Sequence, residues 1–348
     1  MPSIAEPLSM PADRPAHITR SIDEPTFDAK RHLALTFPDK ITTLEEMGYS
    51  AEDRARTPSP VAITSPFRVL SDDGVKALEA VLQELKRDAV IARGKRLSVF
   101  LAGGVYRSRF LQNLVRSPAL LDHLSAIAGT PLAPHPMPQY QAYVNYAPED
   151  PSKAVDNWHV DSLGFDAVLM VNDPKKLKGG RFQYFRGTRD ECMALTGAAD
   201  EQALTYGWTT ELPADRVVSA EFPAAGYAFF MQGDYIFHRA GQLDEPGDRI
   251  TVVPGFVARD LTFPERTKTR KMQIWAPDHI MVELTRHAAW LGREKLASLL
   301  QEITFADGSE RVRLAQRLES AIADVQRIAE ELRWGAANHL DERKRSAG

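Results

Sequence analysis

The chain has 348 residues, 43% hydrophobic and 26% charged, with a formal net charge of −4. That composition suits a globular protein with a sizeable core, and the absence of a basic run with interleaved aromatics argues against a nucleic-acid surface. The single cysteine, Cys192, excludes an internal disulfide framework and a thiolate metal cluster. No apolar stretch approaches the roughly 18 to 20 residues that span a bilayer. The N-terminus lacks a basic region followed by an apolar one, so it does not read as a secretory signal, and a soluble, reducing, cytoplasmic setting is expected.

Residues 1–60 are rich in proline and acid, which predicts an extended arm, partly disordered at its start, with little to bury. Residues 61–134 read as a helical support region. Ser71 is a good N-cap, Asp72 and Asp73 suit the positive helix end, and Gly94 suits the stop. Val75, Leu78, Val81, Leu82 and Leu85 recur at helical spacing and give that helix one buried face. A second helical stretch is interrupted near Pro118 and ends at Gly129.

From residue 135 to 262 the pattern changes to short β runs separated by Pro, Gly and Asp, the pattern of a sandwich or barrel. The polar stretch 187–216 between two of them reads as an insertion, expected to be mobile and a candidate lid, as is the N-terminal arm. Residues 263–348 are again helical. Leu314, Leu318, Ile322, Val325, Ile328 and Leu332 form a stripe that packs on the barrel or joins two copies as a homodimer.

The chemistry centres on "NWHVDS". On a strand, residues i and i+2 project to one face, so His159 and Asp161 point the same way. That pair is half of a metal site, or else a carboxylate orienting a buried imidazole. His238 follows the apolar run "YAFFMQGDYIF", and Arg249 opens the strand "RITVV". A buried arginine needs a partner. Two histidines and a carboxylate with open positions suit Fe(II), and the arginine suits a dicarboxylate through a bidentate pair.

The order His-x-Asp, distal His, then Arg-x-Thr after ten intervening residues resembles the Fe(II)/2-oxoglutarate-dependent dioxygenases over residues 135–260. Thr251 stands where that family more often has Ser, and the spacing from Asp161 to His238 is longer than in its compact members. The resemblance implies a mainly β fold, a double-stranded β-helix (jelly-roll, cupin-like) core with helical N- and C-terminal additions. It implies Fe(II), 2-oxoglutarate and O2 as cofactor and cosubstrates. His159, Asp161 and His238 then hold the metal, and Arg249 with Thr251 holds the distal carboxylate of 2-oxoglutarate. Halogenases of this superfamily have a small residue at the position of Asp161, so the carboxylate here implies oxygenation: hydroxylation of an unactivated C–H, or desaturation or cyclisation.

Other residues carry two readings each. Tyr143 and Asn145 are candidates for the cosubstrate or ordinary strand residues. Trp158 and Phe165 shape a substrate pocket or pack in the core. Gly179 and Gly180 read as structural turn glycines, and Arg181 and Arg186 near them as able to reach a substrate carboxylate. His123, His135, His279, His287 and His339 lack a partner at useful spacing. A small-molecule substrate, such as an amino acid or a natural-product intermediate, is expected, without nucleic acid or membrane. The rival reading is a cupin-like metal-binding or isomerase barrel, which has no need of Arg249 at that spacing.

Overall fold

The computed structural model describes residues 4–18, 22–91, 99–269, 277–303 and 311–346. Its centre is eight strands: β1 (Tyr143–Tyr146), β2 (Ala154–His159), β3 (Phe165–Met170), β4 (Phe182–Phe185), β5 (Val217–Ala220), β6 (Tyr227–Met231), β7 (His238–Gln242) and β8 (Ile250–Val253). They fall into two antiparallel sheets. The smaller runs β5-β4-β7-β2; the larger contains β6-β3-β8-β1 and is widened by strands from residues 41–101 and 132–134.

Alternation along the strands sorts their side chains. On β3, Phe165, Ala167 and Leu169 join an apolar cluster with the N-terminal helices, whereas Val168 and Met170 join Phe182, Phe229 and Met231. The second cluster draws on both sheets, so it is the layer between them. The first lies outside the larger sheet, under α1 (Asp72–Leu85), α2 (Arg109–Val115) and α3 (Pro118–Ala128). The Ser71 side chain accepts from the Gly74 amide to cap α1, and Leu78, Val81, Leu82 and Leu85 are buried. The helix stops at Leu85; Gly94 lies outside the described residues. Pro118 starts α3 in its first turn, and Gly129 ends it in the left-handed conformation at φ +68°.

Two expectations are corrected. The N-terminal arm does bury side chains: Ala5, Ile18, Leu44, Met47 and Tyr49 are all in the core. Its apolar residues are few but placed where the sheets and helices leave them a surface. The insertion is also docked. Between Phe185 and Val217 it forms α4 (Arg189–Thr196), opened by a capping box between Thr188 and Glu191. Cys192 and Leu204 pack with Trp158, Val160, Phe185 and Phe237 on the outer face of the smaller sheet.

The C-terminal part is a hairpin of α5 (Pro277–Glu302) and α6 (Arg311–Ser346). Ile328 of α6 packs on Ile280, Leu284 and Ala288 of α5, which lean on Met137 and Leu163. Leu318, Val325 and Leu332 are exposed, so the apolar stripe is covered only in part. No helix among the described residues is long and apolar enough to cross a membrane.

Candidate metal and anion site

His159 ends β2 and His238 begins β7, where the two residues face each other in register. Their rings are 4.2 Å apart, centroid to centroid. Asp161 follows two residues beyond His159, held by its amide donating to the Gly233 carbonyl at 2.8 Å. Asp161 Oδ1 stands 3.4 Å from His159 Nε2, and Asp161 Oδ2 stands 3.3 Å from His238 Nε2. One ligand atom from each residue lies within 4.8 Å of the others, and all three residues are buried.

The tautomers follow from the neighbours. His159 Nδ1 meets the Asn157 carbonyl at 2.6 Å, and His238 Nδ1 meets the Ile236 carbonyl at 2.8 Å. A carbonyl only accepts, so each Nδ1 carries a hydrogen and each Nε2 is the ring nitrogen turned toward Asp161. With a metal bound, each ring would coordinate through that Nε2. Gly233 keeps the space open: a Cβ there would stand 2.7 Å from Asp161 Oδ2 and nearer still to Asp166 Oδ2.

A buried cation accompanies the triad. Arg249 is 1% exposed, and its Nε donates to the Gly180 carbonyl at 3.0 Å. Its Nη2 has no hydrogen-bond partner among the described residues. Burial lowers the Arg249 pKa to about 10, against the opposing pull of the Asp156 charge. A desolvated guanidinium with a donor unused has the chemistry to bind an anion. Gly180 makes room for it: its φ is +63°, and a Cβ would meet Arg249 Cδ at 3.1 Å.

Thr251, two residues on from Arg249, lies opposite Asn145 across β8 and β1. Ile250, Val252, Val144 and Tyr146 belong to the outer cluster, so Thr251, Asn145 and Tyr143 face the layer between the sheets. Tyr143 stacks on Phe100 at 5.3 Å. The triad is one cluster, and Thr251, Asn145 and Tyr143 line the layer between the sheets.

Four residues expected near a substrate stand elsewhere, Trp158 and Phe165 because strand parity sends them out and Arg181 and Arg186 at the two ends of β4. Trp158 lies under the insertion, stacked on Phe237 at 5.6 Å with the Arg239 guanidinium 4.6 Å from its ring. Phe165 packs on Phe230 beneath the helices. Arg181 is exposed and pairs with Glu221, and exposed Arg186 donates to the Asp215 carbonyl. Gly179 shares the tight turn with Gly180, at φ +77°. Among the described residues the other histidines are not part of this cluster. His123 bonds the Thr36 carbonyl, His135 and His287 pack edge to face, and the side chains of His279 and His339 lie outside those described.

Two buried carboxylates were not singled out from the sequence. Asp166 is fully buried on the inner face of β3, and Asp156 stands 3.3 Å from His159. The signal for Asp166 is an acid inside the otherwise apolar run "FDAVLM". Asp156 sits at an odd spacing from His159 that a regular strand would place on the opposite face.

Two imidazoles and one carboxylate, gathered and buried, form a set able to hold a metal ion, and Arg249 adds a buried guanidinium with an unused donor. The Halogenase D family model matches residues 105–276, just under half of the chain and the part that holds the triad and Arg249. No curated protein matches the sequence. Similar solved structures include a non-haem α-ketoglutarate-dependent epimerase from nogalamycin biosynthesis, at 15% identity over 55% of this chain and 78% of that one, TM-score 0.41. A carbocyclase of the same type and source is similar at 17% identity over 68% and 94%, TM-score 0.39. A prolyl-4-hydroxylase from Pseudomonas putida is similar at 14% identity over 56% and 90%, TM-score 0.37.

Proposed function

We propose that the protein is an Fe(II)- and 2-oxoglutarate-dependent oxygenase that hydroxylates an unactivated C–H of a small molecule. The observation that carries this reading is the buried Arg249 with its unused Nη2, since a metal-binding barrel of the cupin type has no use for such a group. The strand order supports a double-stranded β-helix, because consecutive core strands switch between the two sheets at every step but β4 to β5 and β5 to β6 is again a switch.

In this reading His159, Asp161 and His238 hold the iron, and Arg249 with Thr251 holds the distal carboxylate of 2-oxoglutarate. Asn145 and Tyr143 line the same space. Bound iron, with 2-oxoglutarate and O2, supplies an oxidant able to take hydrogen from an unactivated carbon as the cosubstrate becomes succinate and CO2. The protein contributes neutral imidazoles, a fixed carboxylate, a desolvated cation and a layer of side chains between two sheets that keeps water out.

A second reading, halogenation, is favoured by the Halogenase D match. Asp161 weighs against it, since its carboxylate fills the coordination position that a halide would need. The test is to incubate the iron-loaded protein with 2-oxoglutarate, ascorbate, chloride and a library of small molecules, and to follow succinate by mass spectrometry. An oxygen added to the product, with succinate release lost in Arg249→Ala, is the expected result. A chlorinated product would replace the proposal with the second reading, and succinate formation unaffected by Arg249→Ala would remove the clamp.

A further inference from the structure

The strand that carries His159 is irregular. His238 faces His159 and Ala240 faces Asp156, so two steps along β7 are matched by three along β2. The extra residue is a β-bulge, which bends a strand and re-aims its side chains. Residues three apart on a regular strand face opposite ways. Here Asp156 and His159 are both buried and in contact, with Asp156 Oδ1 3.3 Å from His159 Nδ1. The imidazole N–H therefore has two acceptors, the Asn157 carbonyl and the Asp156 carboxylate.

The same carboxylate lies near the buried cation. Arg249 Nε bonds the Gly180 carbonyl, and the Gly180 amide bonds the Gln242 carbonyl. Gln242 and Ala240 are the strand partners of Ala154 and Asp156. The charge of Asp156 works at Arg249 against the effect of burial.

We propose that Asp156 is a positioning residue that links the metal site to the anion site, one carboxylate orienting the His159 imidazole while offsetting the buried charge of Arg249. The proposal rests on the reading of the triad as metal ligands and of Arg249 as the clamp. It has a signature that a merely structural residue lacks. Removing the negative charge weakens the hold on His159, and so on the metal, yet leaves Arg249 more attractive to an incoming anion. The two affinities move in opposite directions.

The test is Asp156→Asn, which keeps the shape and drops the charge, with folding checked by thermal melting. Mn(II) accepts the same nitrogen and oxygen donors as Fe(II), so calorimetry with Mn(II), and then with 2-oxoglutarate on Mn(II)-saturated protein, reads both sites without turnover. The expected result is Mn(II) binding weakened by about ten-fold, with 2-oxoglutarate bound more tightly than by the wild type. Unchanged Mn(II) affinity, or loss of both affinities together, overturns it. Should Asp156→Asn not fold, Asp156→Glu decides, since it keeps the charge and moves the carboxylate: weaker Mn(II) binding with near-normal 2-oxoglutarate binding supports the link, and wild-type Mn(II) binding refutes it. A wild-type protein that takes Mn(II) but no 2-oxoglutarate would overturn the reading of Arg249 itself, whatever the variants do.

Discussion

A hydrogen atom in place of a methyl group at residue 233 keeps two carboxylates beside the ligand set. Gly233→Ala would place its Cβ 2.8 Å from Asp161 Cβ as well as against Asp161 Oδ2 and Asp166 Oδ2, and something must shift. Overpacking of this kind costs about 1 to 3 kcal/mol. Gly233→Ala is expected to melt earlier and to lose Mn(II) binding, and a variant that titrates like the wild type would contradict the geometry. Arg249→Ala is expected to weaken 2-oxoglutarate binding by roughly 2 to 5 kcal/mol while changing Mn(II) affinity far less; calorimetry with each ligand checks the contrast. The triad residues were legible because His-x-Asp on a strand shares a face and the distal histidine closes an apolar run. Asp156 was not, because a bulge changes parity without leaving a mark in composition. Trp158 and Phe165 had a pocket reading and a core reading in the sequence; each is one position out of phase with the inner face and packs in the core.

Among the elements, α5 is tied to the barrel by titratable groups. His135 and His287 pack edge to face at 5.6 Å, His135 Nε2 meets Thr267 Oγ1 at 2.9 Å, and Glu265 Oε2 lies 3.7 Å from His287 Nε2. Burial lowers the His135 pKa to about 3 and the His287 pKa to about 4, while burial raises that of Glu265. From α6, Asp324 favours the charged form of His287 and Arg327 opposes it, as does Lys295 of α5. An unfolded histidine takes its proton near pH 6.5. The folded pair stays neutral well below that, so the stability it permits is intact above about pH 6.5 and is lost as pH falls toward 4. Glu265 runs the other way and offsets part of the loss. The melting temperature is expected to drop between pH 7 and pH 5, with a shallower slope in His287→Gln; an identical slope in the variant would sink this account. The insertion shows what composition hides. Its average is polar, but Cys192 and Leu204 meet one apolar patch, so an element expected to move is packed down.

At the scale of the whole molecule, distant segments meet around Asp234. Its carboxylate is fully buried, ion-paired with Arg266, and 3.6 and 3.7 Å from Arg189 and Lys268. Arg189 also reaches Glu201 at 3.0 Å. The Tyr235 ring has the Arg189 guanidinium 4.2 Å and the Arg266 guanidinium 4.6 Å from its centroid, and its carbonyl accepts from the Tyr49 hydroxyl. Asp234→Asn would leave these cations short of charge, which for a buried pair costs about 3 to 5 kcal/mol; urea denaturation measures it, and a loss below about 1 kcal/mol, the range of surface pairs, would show the network to be loose. The strand-rich centre and helical flanks could be read from the periodicity of the sequence. The meeting at Asp234 could not, since its members are separated by long stretches of chain and only folding brings them together.

The position of that meeting has a consequence for anyone reshaping the protein. Residues 232–237 join β6 to β7, beginning beside Gly233, whose carbonyl holds Asp161, and ending at His238. Arg189, from the insertion, grips the middle of this connection. The insertion is therefore not a loop to be trimmed or exchanged like an antibody loop. Replacing it with a short turn would wet Trp158 and withdraw a guanidinium from Asp234, and the slack would be felt at both ends of the connection, where Asp161 is held and His238 begins β7. Grafting new specificity onto this scaffold has to begin from the inner faces of the sheets and leave the outer decoration in place.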